Sequence, residues 1–107
     1  MEQKRLRRIL RILQKELKDT LGERVEKIIL YGSQARGDAR DDSDIDVLVV
    51  LKGDFKYGTM LKKTSKAVAK LSLENDVVIS RAFATRQQYE HSKMPFLMNV
   101  RREGIAI

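Results

Sequence analysis

Gly32-Ser33-Gln34-Ala35-Arg36-Gly37 and, a few residues on, Ser43-Asp44-Ile45-Asp46-Val47-Leu48-Val49-Val50 decide how this chain is read. The first segment is a glycine-serine turn that follows an apolar run, Val25 to Tyr31, with the buried-strand pattern Ile28-Ile29-Leu30 at its centre. The second puts two carboxylates one residue apart at the head of another apolar run. Successive strand side chains alternate between faces, so Asp44 and Asp46 are expected on the same side, with Leu48 and Val50 behind them. Ile45, Val47, Val49 and Leu51 take the opposite face. Both faces are therefore apolar beyond the acids, which marks a central strand over Ser43 to Leu51 with its carboxylates at the solvent-reaching end.

Alternate strand residues lie ~6.5 Å apart along the backbone, close enough for their carboxylates to lean together. Side by side they repel unless something positive sits between them. A divalent ion with oxygen preference, Mg2+ above all, suits such a pair, and two-metal phosphoryl-transfer sites space their ions ~3.5–4 Å apart. A third acid would hold a metal nearer the attacking hydroxyl or act as its base. Asp76, at the head of Asp76-Val77-Val78-Ile79, is the candidate if that strand neighbours the second, and Glu74 is the fallback. Gly32 allows close backbone approach, and Ser33 adds a hydroxyl at a helix N-terminus, where free amides favour anions. Arg36, one turn on, can offer its fork to a phosphate oxygen or pair with a nearby aspartate.

Outward from this centre the elements follow from periodicity. Leu6, Ile9, Leu10, Leu13, Leu17 and Leu21 recur at spacings of three and four, giving an amphipathic helix over about residues 3–21 with Gly22 as C-cap. Residues 33–36 read as a short helical turn ended by Gly37, and Asp38 to Asp42 as a polar loop. Gly53 to Gly58 form another loop. Thr59 is expected to start a helix carrying Met60, Leu61, Thr64, Val68 and Leu71, and Asp76 to Ser80 a third strand. Thr85 reads as the N-cap of a short helix through Tyr89 to His91. Pro95 begins a helix that Gly104 stops after Glu103, and Ile105 to Ile107 form a closing strand or an ordered tail. The fold class is α/β or α+β, a sheet with helices packed on at least one face.

The 107 residues make a single domain, 42% apolar and 35% charged, the composition of a globular chain. No segment reaches the ~20 continuous apolar residues of a membrane span, and the basic start lacks the hydrophobic stretch of a signal peptide, so the expectation is a cytoplasmic protein. Without cysteine there is no disulfide framework, thiolate metal site or cysteine nucleophile. Net charge is +7. Much of the excess lies in residues 1–18, where Lys4, Arg5, Arg7, Arg8, Arg11, Lys15 and Lys18 face only Glu2 and Glu16. A solvated helix face or a surface for an acidic partner is the simpler reading. A nucleic-acid footprint is the alternative, against which the three Phe and three Tyr are scattered with no stacking platform.

The pattern Gly32-Ser33-x-Ala35-Arg36-Gly37-x-Ala39-Arg40-x-x-Ser43-Asp44-Ile45-Asp46-Val47 resembles the signature of the polymerase-β-type nucleotidyltransferases. Within them it is most similar to the minimal nucleotidyltransferases found in prokaryotic toxin–antitoxin pairs, and Arg102-Glu103-Gly104-Ile105 looks like the close of such a domain. The resemblance implies a nucleotidyltransferase fold, with a small mixed sheet flanked by helices. It also implies Mg2+-dependent transfer of a nucleoside monophosphate from a triphosphate such as ATP. On that reading Asp44, Asp46 and Asp76 form the metal-holding triad, and Gly32, Ser33 and Arg36 bind the nucleotide. The implied partner is a HEPN-type RNase toxin, a tyrosine of which receives AMP. Such an antitoxin would borrow its acceptor site from that partner, and Met94-Pro95-Phe96-Leu97-Met98 is either part of the docking surface or, more simply, core packing. A binding-only antitoxin and a basic nucleic-acid-binding module are the alternative functions.

Overall fold

The computed structural model of the chain describes residues 1–40 and 43–107; Asp41 and Asp42, the end of the expected polar loop, lie outside the described residues. The chain runs through α1 (Gln3–Leu21), β1 (Val25–Tyr31), α2 (Ser33–Arg36), β2 (Ile45–Leu51) and α3 (Tyr57–Asn75). It continues through β3 (Ile79–Thr85), α4 (Arg86–His91), α5 (Pro95–Glu103) and β4 (Ile105–Ala106). The sheet order is β3-β2-β1-β4. β1 pairs antiparallel with β2 and with β4, whereas β2 and β3 are parallel, so the sheet is mixed.

β2 is central because its side chains are apolar on both faces. One face, with Ile45, Val47, Val49 and Leu51, joins Ile28 and Leu30 of β1 against α1 and α3. The other, with Leu48 and Val50, joins Ile29 and Ala84 against Leu97 and Val100 of α5. Three layers result, and β2 runs through the middle one. α1 buries the six apolar residues of its stripe, Leu6 to Leu21, each contributing about 1.5–3 kcal/mol of transfer free energy. Gly22 ends it at φ 65°, its N–H donating to Lys18 O. Thr85 caps α4 reciprocally: its hydroxyl accepts from Gln88 N–H at 3.1 Å, and Gln88 Oε1 accepts from Thr85 N–H at 2.9 Å. Ile105 and Ala106 form a strand, pairing with Leu30 and Ile29.

Two expectations are corrected. α3 begins at Tyr57, two residues ahead of Thr59, because Tyr57 packs edge-on to Phe83 with ring centroids 5.5 Å apart and its hydroxyl accepts from Phe83 N–H at 3.2 Å. The third strand is Ile79–Thr85, not Asp76 to Ser80. α3 continues to Asn75 and is closed by Asp76 in the left-handed conformation (φ 50°), which aspartate tolerates better than most residues. Val77 and Val78 then carry the chain back to the sheet, Val78 being 59% exposed. Polar residues within Ile79-Ser80-Arg81-Ala82-Phe83-Ala84-Thr85 hide the strand because β3 lies at the sheet edge, where Arg81 turns aside to donate to Thr64 Oγ1 at 2.6 Å and Leu61 O at 2.9 Å.

Candidate active site

Gly32 closes β1 with φ 75° and ψ −157°, a conformation open to glycine, and α2 starts on the next residue. Its lack of a side chain matters for a second reason. A Cβ at Gly32 would stand 2.5 Å from Oδ2 of Asp46, so the Asp46 carboxylate occupies the space that any other residue would fill. The glycine-serine turn and the strand-borne acid are thus in direct contact. Antiparallel pairing sets Asp46 opposite Tyr31, and parallel pairing sets it beside Ser80. Gln34, buried in α2, donates from Nε2 to Ser43 O at 3.4 Å and ties the turn to the start of β2.

Asp44 precedes β2 and is exposed, while Asp46 is half-buried. Burial is the main cause raising the Asp46 carboxyl above its ordinary value; the Asp44 charge adds to it, and Arg36 opposes both. A half-buried carboxylate whose ionised form is disfavoured by burial and by a neighbouring carboxylate is the kind of group a cation would relieve. The donor set is all oxygen, which fits Mg2+. Burial, then the Asp46 charge, push the Tyr31 hydroxyl up to about 12. Tyr31 also meets Phe96 edge-on, centroids 5.4 Å apart. At the sheet edge formed by β3, Phe55, Tyr57 and Phe83 from one face and Ala84, Phe96 and Leu97 from the other line a largely apolar recess.

Ser33 and Gln34 open α2, where backbone N–H groups have no intrahelical acceptor. Arg36 stands beside the turn. Its Nε donates to Asp38 Oδ2 at 3.2 Å, and its Nη1 donates to both Glu103 oxygens at 3.2 and 3.3 Å. These bonds, with Asp38 first, raise the Arg36 pKa further. Asp76 does not join the pair as expected. It caps α3, which packs on the face opposite the one carrying Asp46, and it lines a recess with Ser43, Ser72, Leu73 and Val77. Glu74 pairs with Lys70 at 3.9 Å. Among the described residues no three acidic, histidine or cysteine side chains are grouped to hold a metal. The acids that the structure brings together are Asp44 and Asp46, and the residue beside Asp46 in the register is Ser80.

Residues 6–102 match the model of the nucleotidyltransferase domain family. The chain belongs to that family: it is a nucleotidyltransferase. Two relatives from Methanocaldococcus jannaschii, both named as candidate protein adenylyltransferases, are similar to it. MJ0604 is 38% identical over 82% of this chain and 83% of its own, and MJ0141 is 34% identical over 67% and 72%. In architecture the nucleotidyltransferase is similar to a toxin–antitoxin crystallised with AMP-PNP (TM-score 0.65, 19% identity, 90% of this chain and 69% of that one). It is likewise similar to a candidate nucleotidyltransferase from Sulfolobus solfataricus (TM-score 0.61, 18% identity, 99% and 87%). A mutant of the toxin–antitoxin MntA-HpeT matches with TM-score 0.62 at 16% identity over 88% and 67%. These structural likenesses establish the fold.

Two site residues escaped the sequence reading. Tyr31 looked like the end of a buried strand, and only the strand register sets it against Asp46. Glu103 was read as the last residue of a helix and as part of the closing Arg102-Glu103-Gly104-Ile105 segment, but nothing in the sequence ties position 103 to position 32. Of the apolar cluster near the C-terminus Leu97 is buried, whereas Met94, Phe96 and Met98 are exposed, so packing absorbs less of it than expected. Among the described residues no helix is long and apolar enough to cross a membrane.

Proposed function

We propose that this nucleotidyltransferase moves AMP from ATP to a hydroxyl of a partner toxin, most simply a tyrosine of a HEPN-type RNase, and so acts as an antitoxin. The observation that carries the reading is the contact between Gly32 and the Asp46 carboxylate, with Asp44 alongside. It joins a phosphate-suited turn to a cation-suited acid pair. Support comes from the relatives named as candidate protein adenylyltransferases and from the toxin–antitoxin likenesses, one of them with AMP-PNP.

In this mechanism Asp44 and Asp46 would hold Mg2+, and the Gly32-Ser33 turn grips the triphosphate through the Ser33 amide and hydroxyl, Gly32 allowing the close approach. Arg36 supplies positive charge beside the turn. Bound Mg2+ would draw charge from the phosphate oxygens and lower the pKa of an attacking hydroxyl. The acceptor hydroxyl loses its proton to solvent water as its oxygen forms a bond to the α-phosphorus, the bond from that phosphorus to the oxygen bridging to the β-phosphate breaks, and pyrophosphate leaves. The apolar recess and exposed Met94, Phe96 and Met98 are suited to dock the protein that brings the acceptor.

A second reading, the binding-only antitoxin, is favoured by Ser80 standing where a third acid would meet Asp46. Incubating the chain with ATP, Mg2+ and the toxin encoded beside it separates the two. Mass spectrometry that finds AMP on a toxin tyrosine, lost in Asp44→Asn, supports transfer. A tight complex with unmodified toxin supports binding alone.

A further inference from the structure

We infer that Glu103 is a positioning residue for nucleotide binding, a carboxylate delivered from the end of α5 to lock the Gly32-Ser33 turn and Arg36 in place against Asp46. This rests on the phosphate role proposed for that turn. Glu103 Oε1 accepts from Gly32 N–H at 3.3 Å, and the same oxygen takes Arg36 Nη1 at 3.2 Å. The side chain is 20% exposed, against 46% for Arg36, so this is more than a loose surface pair.

The local backbone explains how the carboxylate is aimed. Gly104 follows it, and a Cβ there would meet both Ile29 Cγ2 and Val100 O at 2.4 Å, so α5 reaches the sheet through a glycine. Gly104 N–H donates to Val100 O at 2.8 Å, Ile105 pairs with Leu30, and Ile107 N–H donates to Ile28 O at 3.0 Å. Glu103 therefore sits between a closed helix end and a strand pairing with β1, and continuing the Leu30–Ile105 register two residues brings it to Gly32, just past the end of β1. Held this way, it takes the N–H behind the turn, leaving the amides of Ser33 and Gln34 to a phosphate. It also pins the Arg36 charge where that charge acts on Asp46.

The test is affinity for the magnesium complex of a non-hydrolysable ATP analogue, measured by calorimetry alongside thermal melting. Glu103→Ala frees both the turn and Arg36 and is expected to weaken binding about tenfold or more, since small misplacements of positioning groups carry large penalties. Glu103→Gln keeps an acceptor oxygen for Gly32 N–H and is expected to stay within about threefold of the unaltered protein. A merely structural glutamate would lower melting temperature in both variants with no such split in affinity. Unchanged binding in Glu103→Ala overturns the inference, and tighter binding overturns it too, because Glu103 would then be competing with phosphate. Should Glu103→Ala not fold, Glu103→Asp, one methylene short, is expected to weaken binding about threefold or more, and parity with the unaltered chain overturns the inference. If the unaltered chain itself does not bind the nucleotide, the phosphate reading of the turn fails and takes this inference with it. Binding by the unaltered chain with equal binding by Glu103→Ala removes the inference alone.

Discussion

β2 and the residue that leads into it pass through two environments within eight residues, Asp44 to Leu51. From Val47 to Leu51 every side chain is buried and apolar, on one face against α1 and α3 and on the other against α5. At Asp44 and Asp46 the same strand end gathers like charges, one of them half-buried, against a glycine with no room for a side chain. The first region is arranged for stability. The second opposes it, since desolvation and repulsion both disfavour the ionised Asp46. A fold keeps such a conflict where the charge is used, and the comparison teaches that stability and activity respond to different residues here.

That separation can be broken most forcefully in the acid pair. Asp44→Asn and Asp46→Asn are each expected to cut transfer by roughly a thousandfold, a loss of about 4 kcal/mol of transition-state stabilisation, while a melting curve stays cooperative. Leu13→Ala, at a fully buried position of α1, is expected to do the reverse. It should cost about 2–5 kcal/mol in urea unfolding and leave nucleotide affinity of the folded fraction unchanged. Equal damage to activity and stability from both substitutions would erase the contrast.

Gly32→Ala tests the point where the two regions touch. The new methyl would be forced against Asp46 Oδ2 in a backbone conformation unfavourable to alanine. Transfer is expected to fall about a hundredfold, for a stability cost of about 1–3 kcal/mol. Thr85→Ala removes the cap from α4, far from the acids along β3, and is expected to cost ~1 kcal/mol with no change in turnover. The smallest effect is the most pointed. Without Mg2+, Asp46→Asn is expected to raise the melting temperature slightly, because it removes a half-buried charge beside Asp44. Added Mg2+ should then stabilise the unaltered chain and not the variant.

Much of this was legible in the sequence wherever a residue's role is local. The α1 stripe, the glycine stops at positions 22, 37 and 104, the Thr85 cap and the two-faced apolarity of β2 each follow from spacing within a few residues. The nearness of turn and acid pair was expected from their order in the chain, but the antiparallel β1–β2 pairing that produces it is legible only in the structure. What failed was register. Asp76-Val77-Val78-Ile79 has the composition of a strand, yet three of its residues serve to end α3 and return the chain, and this shift sets Ser80 rather than an acid beside Asp46. Glu103 was illegible for a different reason: its partners Gly32 and Arg36 are 71 and 67 residues away, and no local pattern reports such a contact.

The most direct measurement is label transfer to the partner toxin in the presence of Mg2+, with ATP labelled at the α-phosphate in one reaction and at the γ-phosphate in another. The expected result is α-label on the toxin, no γ-label, and neither when Asp46 is replaced by asparagine. Label that persists on the toxin in the Asp46→Asn variant, or arrives from the γ-position, would contradict it.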